Sequence, residues 1–68
     1  MNEEALNMSL RKFLKVVGVT SQQEIEKAIS AAVADGRLKG TESVQAQMVL
    51  TIGKVGLTHQ VDGTIELA

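Results

Sequence analysis

The sequence predicts an α+β fold in the order ααββ, with two N-terminal amphipathic helices packed on one face of a C-terminal antiparallel β-hairpin. Three observations predict it. Apolar residues recur at helical spacing in two blocks before Gly36; apolar and polar residues alternate along two segments after Val44, with Val49 the exception; and Gly18-Val19-Thr20 and Gly53-Lys54-Val55-Gly56 read as turns.

The first helix is expected from about Glu3 to Val17. Leu6, Leu10, Phe13, Leu14 and Val17 form one stripe at the 3.6-residue period, with Asn2 placed to cap the start. Glu3 and Glu4 lie at the positive end of the helix dipole and Arg11, Lys12 and Lys15 toward the negative end, which accounts for the basic cluster without a phosphate ligand. Gly18 then reads as a C-terminal stop. Ser21 with Glu24 makes a capping box, and Thr20 with Gln23 offers the same device one residue earlier. The second helix buries Ile25, Ala28, Ile29, Ala32 and Val33 and stops near Asp35, with Gly36 following.

Arg37 to Ser43 is a polar connection in which Leu38 either anchors the loop or adds a short third strand. Beyond it, Ile52 pairs with Leu57 across the turn, which sets Leu50 opposite His59, Met48 opposite Val61, Ala46 opposite Gly63 and Val44 opposite Ile65. One face is apolar. The other carries Gln45, Gln47, Thr51, Thr58, Gln60, Asp62, Thr64 and Glu66, with Val49 the apolar exception. A turn at Asp62-Gly63 is the alternative, but it sets Gln60 opposite Ile65 and Thr58 opposite Leu67, mixing both faces, so Gly63 reads as a bulge or a packing notch. The expected core is Leu6, Leu10, Phe13, Leu14, Val17, Ile25, Ile29, Val33, Met48, Leu50, Ile52, Leu57, Val61 and Ile65; within it Phe13→Ala should cost about 3 to 5 kcal/mol.

At 68 residues the chain is read as one domain, 1–68, and a domain this small is marginally stable. Without cysteine it has no disulfide framework and no thiolate nucleophile, and one histidine cannot build a multi-histidine metal site. Oligomerisation is the remaining means of stabilising so small a domain, so a homodimer is expected from size alone. A net charge of −1 leaves no electrostatic footprint for nucleic acid or anionic lipid, and Phe13 as the sole aromatic residue leaves no base-stacking platform. The acidic Met1-Asn2-Glu3-Glu4 start and the absence of a long apolar run point to a cytoplasmic protein with no membrane partner.

Candidate chemistry is sparse. His59 falls on the apolar face, away from Asp62 and Glu66, and reads as a histidine at the sheet margin, not a catalytic base. Gly36-Arg37-Leu38-Lys39-Gly40 has the composition of a phosphate loop but follows a helix where such a loop precedes one. No catalytic residue, metal ligand or cofactor is expected, and the chain is not read as an enzyme.

Two binding readings remain. In the first, a non-catalytic protein-interaction domain, the hairpin leaves edges unpaired, and the first strand carries no charge to block pairing. Its candidate interface is Val44, Gln45, Gln47, Val49 and Thr51, open to a second copy or another protein unless the Arg37 to Ser43 connection covers it. Met8, off the core stripe of the first helix, is a minor second contact point. The alternative is a winged-helix-like nucleic-acid-binding regulator, with helix, Gly18-Val19-Thr20 turn, helix and a hairpin wing. Its candidate contacts are Arg11, Lys15, Arg37, Lys39 and Lys54, but Glu24 stands where that motif wants an apolar residue, and Glu24, Glu26 and Asp35 make the reading helix repel phosphate.

The chain also resembles a known family. Met1-Asn2-Glu3, Asn7-Met8-Ser9, Arg11-Lys12-Phe13-Leu14, Val17-Gly18-Val19-Thr20-Ser21-Gln22, Glu24-Ile25-Glu26 and the closing strand pair are similar to a family of very short bacterial proteins of unknown function. That resemblance spans the whole chain and implies a stand-alone cytoplasmic protein; it brings no activity, cofactor or site residue.

Overall fold

The computed structural model describes all residues, 1–68. They form two compact units, Met1–Arg37 and Leu38–Ala68. The first is a single helix, α1 (Glu3–Ala34, 32 residues). The second is a hairpin of β1 (Ser43–Ile52) and β2 (Leu57–Glu66) joined by a 3-10 turn at Gly53–Val55.

The two predicted helices are one. The start is as expected: Asn2 has extended backbone geometry and its Oδ1 accepts from the Ala5 amide at 3.1 Å, with Glu3 and Glu4 in the first turn. Gly18 to Ser21, however, continue the helix without a break. Thr20 does not cap a new helix; its hydroxyl donates to the Val16 carbonyl at 2.7 Å, one turn back. Magnitudes explain the outcome. A helical glycine costs about 1 kcal/mol relative to alanine. Breaking the helix there strands four amides and four carbonyls, of which a capping box satisfies only a few, and requires a second unfavourable nucleation. Continuity also joins the two apolar stripes, because Ser21 lies four residues from both Val17 and Ile25 and is itself half-buried.

The C-terminus of α1 falls where the sequence sets it. The Asp35 amide donates to the Ala31 carbonyl at 3.0 Å, and Gly36 takes φ 86°, the left-handed conformation that favours glycine after a helix. Gly56, at φ 64°, does the same for the hairpin turn and donates its amide to the Gly53 carbonyl at 3.1 Å.

The strand register matches the sequence reading at every pair from Ile52↔Leu57 to Val44↔Ile65. Gly63 lies opposite Ala46 in the regular ladder, so it is not a bulge. The ladder continues one step further through the Leu67 amide, which donates to the Glu42 carbonyl at 3.1 Å. On the polar face Gln45 donates to the Thr64 hydroxyl at 3.2 Å, and Gln60 to the Asp62 carboxylate at 3.0 Å. Leu38 is half-buried and adds no third strand, the sheet having two.

Few residues of the expected core are even half-buried. Ala32, at 8% exposure, is the sole buried residue. Of the predicted core, Val17, Ile29, Leu50 and Ile65 are half-buried; Leu6, Leu10, Phe13, Leu14, Ile25, Val33, Met48, Ile52, Leu57 and Val61 are exposed. Phe13 keeps 51% of its surface, so the cost expected for truncating a packed phenylalanine does not apply to it in the single chain.

Two substitutions test these elements. Nothing lies within 4 Å of a Cβ built on Gly18, so Gly18→Ala should raise helix content and stabilise the protein by about 1 kcal/mol, read by far-ultraviolet circular dichroism; loss of helix would restore the break. Gly56→Ala forces a left-handed alanine and should destabilise the hairpin by about 1 to 2 kcal/mol, read as faster amide exchange across β1 and β2.

Candidate functional site

The surfaces with chemical content belong to each unit separately. On α1 the apolar stripe runs through Leu6, Leu10, Phe13, Val17, Ser21, Ile25, Ala28 and Ala32. Val16 and Val19 are exposed apart from it, as is Met8, at 73% the most exposed large apolar side chain of the helix.

The hairpin offers an edge. β1 pairs with β2 along one side and with nothing along the other. The connection makes no backbone hydrogen bond to that side. Its carboxylate, Glu42, turns back to accept from the Lys39 amide at 2.9 Å and the Gly40 amide at 2.8 Å, and its one backbone bond to the strands is the Glu42–Leu67 pair beyond the end of β2. Gln45, Gln47, Val49 and Thr51 are exposed on the polar face of β1, Val49 at 53%, and Val44 is half-buried on the apolar face. No residue from Val44 to Ile52 is charged, so the strand lacks the lysines or acids that usually protect an open edge.

Within each unit the candidate nucleic-acid contacts lie far apart, the Arg11 and Lys15 pair excepted. Arg11 and Lys15 are one turn apart on α1, and Lys15 is about 28 Å along the axis from the helix end that precedes Arg37. Arg37 is engaged locally, its Nε donating to the Asp35 carboxylate at 2.8 Å. Lys54 sits in the 3-10 turn, about 30 Å of strand from the connection that carries Lys39. The bend at Gly18-Val19-Thr20 that a helix-turn-helix needs is absent, since those residues are helical.

His59 is exposed on the apolar face opposite Leu50, and the strand alternation sends Asp62 and Glu66 to the other face. No three His, Cys, Asp or Glu side chains come together to hold a metal ion. No helix is long and apolar enough to cross a membrane.

The polar geometry of the connection was missed by reading motifs along the sequence. The Arg37 guanidinium, with help from the Arg37 amide, holds the Asp35 carboxyl below its ordinary value, and the Lys39 amide, followed by amides from Glu42, Gly40 and Thr41, does so for Glu42. The legible signal was a carboxylate two and three residues after amides that a positive-φ glycine, Gly40 at 93°, turns toward it.

A model of a family of unknown function (DUF6494) matches residues 1–68, through the helix, the connection and both strands. The chain belongs to that family. Membership in DUF6494 agrees with the resemblance to short proteins of unknown function. No curated protein and no solved structure matches the chain.

Because both carboxyls are lowered, their contribution is present above the ordinary values, 3.8 for Asp and 4.5 for Glu, and is lost as pH falls through the lowered folded-state values. Acidification should therefore shift the Lys39 and Gly40 amide resonances with the titration of Glu42, and Glu42→Gln should flatten that response. Amide shifts that persist in Glu42→Gln would assign the turn to another group.

Proposed function

We propose that this member of DUF6494 is a non-catalytic protein-interaction domain that works as a homodimer. One observation carries the reading: α1 bears an apolar stripe and the hairpin an apolar face, with Leu6, Leu10, Phe13, Met48, Leu57 and Val61 exposed, and exposed apolar surface of this kind favours a protein contact. A second copy is the cover that small size favours, because a domain of this length buries little surface of its own. The uncharged open edge of β1, with Val44, Gln45, Gln47, Val49 and Thr51, adds a surface on which another strand can pair through backbone hydrogen bonds.

Size-exclusion chromatography with light scattering tests this directly, with mass from refractive index, since the chain has neither Trp nor Tyr. A dimer with no absorbance at 260 nm is the expected result. A monomer contradicts the proposal, and a monomer that carries absorbance at 260 nm points to nucleic acid or nucleotide instead. Phe13→Glu, a charge placed on the exposed stripe, should shift a dimer toward monomer by at least tenfold in dissociation constant, with helix content of the monomer unchanged; equal dissociation constants would remove the α1 stripe from the contact.

A further inference from the structure

We infer that two copies pair edge to edge along β1, antiparallel about a two-fold axis at Gln47, into one four-stranded sheet with β2 at both outer edges. This rests on the homodimer reading and adds the strand, its register and the reason that pairing stops at two.

The backbone sets the parity. The Leu67 amide donates to the Glu42 carbonyl at 3.1 Å, and this pair is the next step of the ladder after Ser43↔Glu66. Directly opposed residues of an antiparallel pair alternate between hydrogen-bonded and non-bonded. The even residues of β1, Val44 to Ile52, therefore bond to β2, and the amides and carbonyls of Ser43, Gln45, Gln47, Val49 and Thr51 point outward. No backbone group elsewhere in the chain bonds to them. The side chains of Gln45 and Gln47 lean the other way, donating to Thr64 at 3.2 Å and to Asp62 at 3.5 Å on β2. A row of such groups is matched in kind by another strand.

The same parity selects the orientation. When outward residues bond to outward residues, odd numbers meet odd and even meet even, so the two polar faces join and the two apolar faces join. A parallel pair along this edge turns one copy over and sets its apolar face beside the polar face of the other. With the axis at Gln47, every outward residue finds a partner: Ser43 meets Thr51, Gln45 meets Val49, and Gln47 meets itself. On the apolar face Val44 meets Leu50 and Ala46 meets Met48. No like charges oppose within the overlap, because β1 carries no charge. At its ends Ile52 comes level with Glu42 of the other copy, whose carboxylate is already held by its own Lys39 and Gly40 amides at 2.9 and 2.8 Å.

β2 does not offer an equivalent edge. Its outward residues are Thr58, Gln60, Asp62, Thr64 and Glu66, and the register that uses them all sets Asp62 against Asp62, with Cα atoms about 5.5 Å apart. Like charges directly opposed destabilise a ladder. A sheet with β1 inside and β2 outside therefore ends in edges that bear carboxylates, a device by which open edges resist further pairing. The two-fold pair is closed.

Val49 and Gln60 oppose each other in the ladder and both direct their amides outward, one on each edge. Proline removes either amide without removing a bond between β1 and β2. Val49→Pro should raise the dimer dissociation constant at least tenfold, read by light scattering across a dilution series, and Gln60→Pro should leave it within about twofold. In the unsubstituted dimer, protection from amide exchange, resolved by NMR, should be at least tenfold greater at Gln45, Gln47 and Val49 than at Gln60, Asp62 and Thr64, and dilution to monomer should remove the difference. The exchange comparison needs no substitution, so it decides the matter even where a proline variant fails to fold. A dimer in which the two sets of amides exchange alike, or which both prolines weaken equally, would overturn the pairing along β1 and leave the homodimer standing. Monomer mass at every concentration would overturn both.

Discussion

The hydrogen-bond ladder of α1 runs unbroken past Gly18, and the other consequential features of this protein follow from that continuity. A turn at Gly18 would have let the second half of the helix fold back and cover the first. Without it, a 32-residue helix extends about 48 Å and its two apolar halves face the same way, unable to bury each other. The energetic reason is ordinary. One glycine within a helix costs about 1 kcal/mol, less than two new helix ends with their unpaired backbone groups. Local continuity is thereby favoured over a pair of helices that cover each other.

The hairpin shows the same division between local order and missing cover. Its register is fixed by the alternation of side chains, its turn by Gly56 in the left-handed conformation, and its base by the Glu42–Leu67 bond. All of these are satisfied within Leu38–Ala68. Yet Met48, Ile52, Leu57 and Val61 stay exposed on its apolar face, and a two-stranded sheet is marginal by itself. In the proposed homodimer, stability becomes a function of protomer concentration.

How much of this was legible depended on whether the deciding energy was local. The pairing from Ile52↔Leu57 to Val44↔Ile65 could be read in full, because a slip by one residue would have moved Met48, Leu50 and Val61 to the polar face. Asn2 and Gly36 marked the ends of the helical region correctly, since cap and stop have distinct side-chain requirements. Gly18 and the Ser21–Glu24 box misled, because each is a weak preference that a continuous ladder overrides. The corrective signal lay in Ser21 itself: a small residue four from Val17 and four from Ile25 continues a stripe more naturally than it opens a helix. The core list named apolar residues that share faces, but periodicity says which side wants cover and not what supplies it. The nucleic-acid contacts were read on the strength of a bend, and without the bend Arg11 and Lys15 are separated from Arg37 by half a helix.

Thermal unfolding followed by circular dichroism at 222 nm across a hundredfold range of protein concentration tests most directly the claim that this chain completes its core with a second copy. The account predicts a midpoint that rises steadily with concentration, as linked folding and association require. A single cooperative transition at one temperature, independent of concentration in a protein of monomer mass, would contradict it.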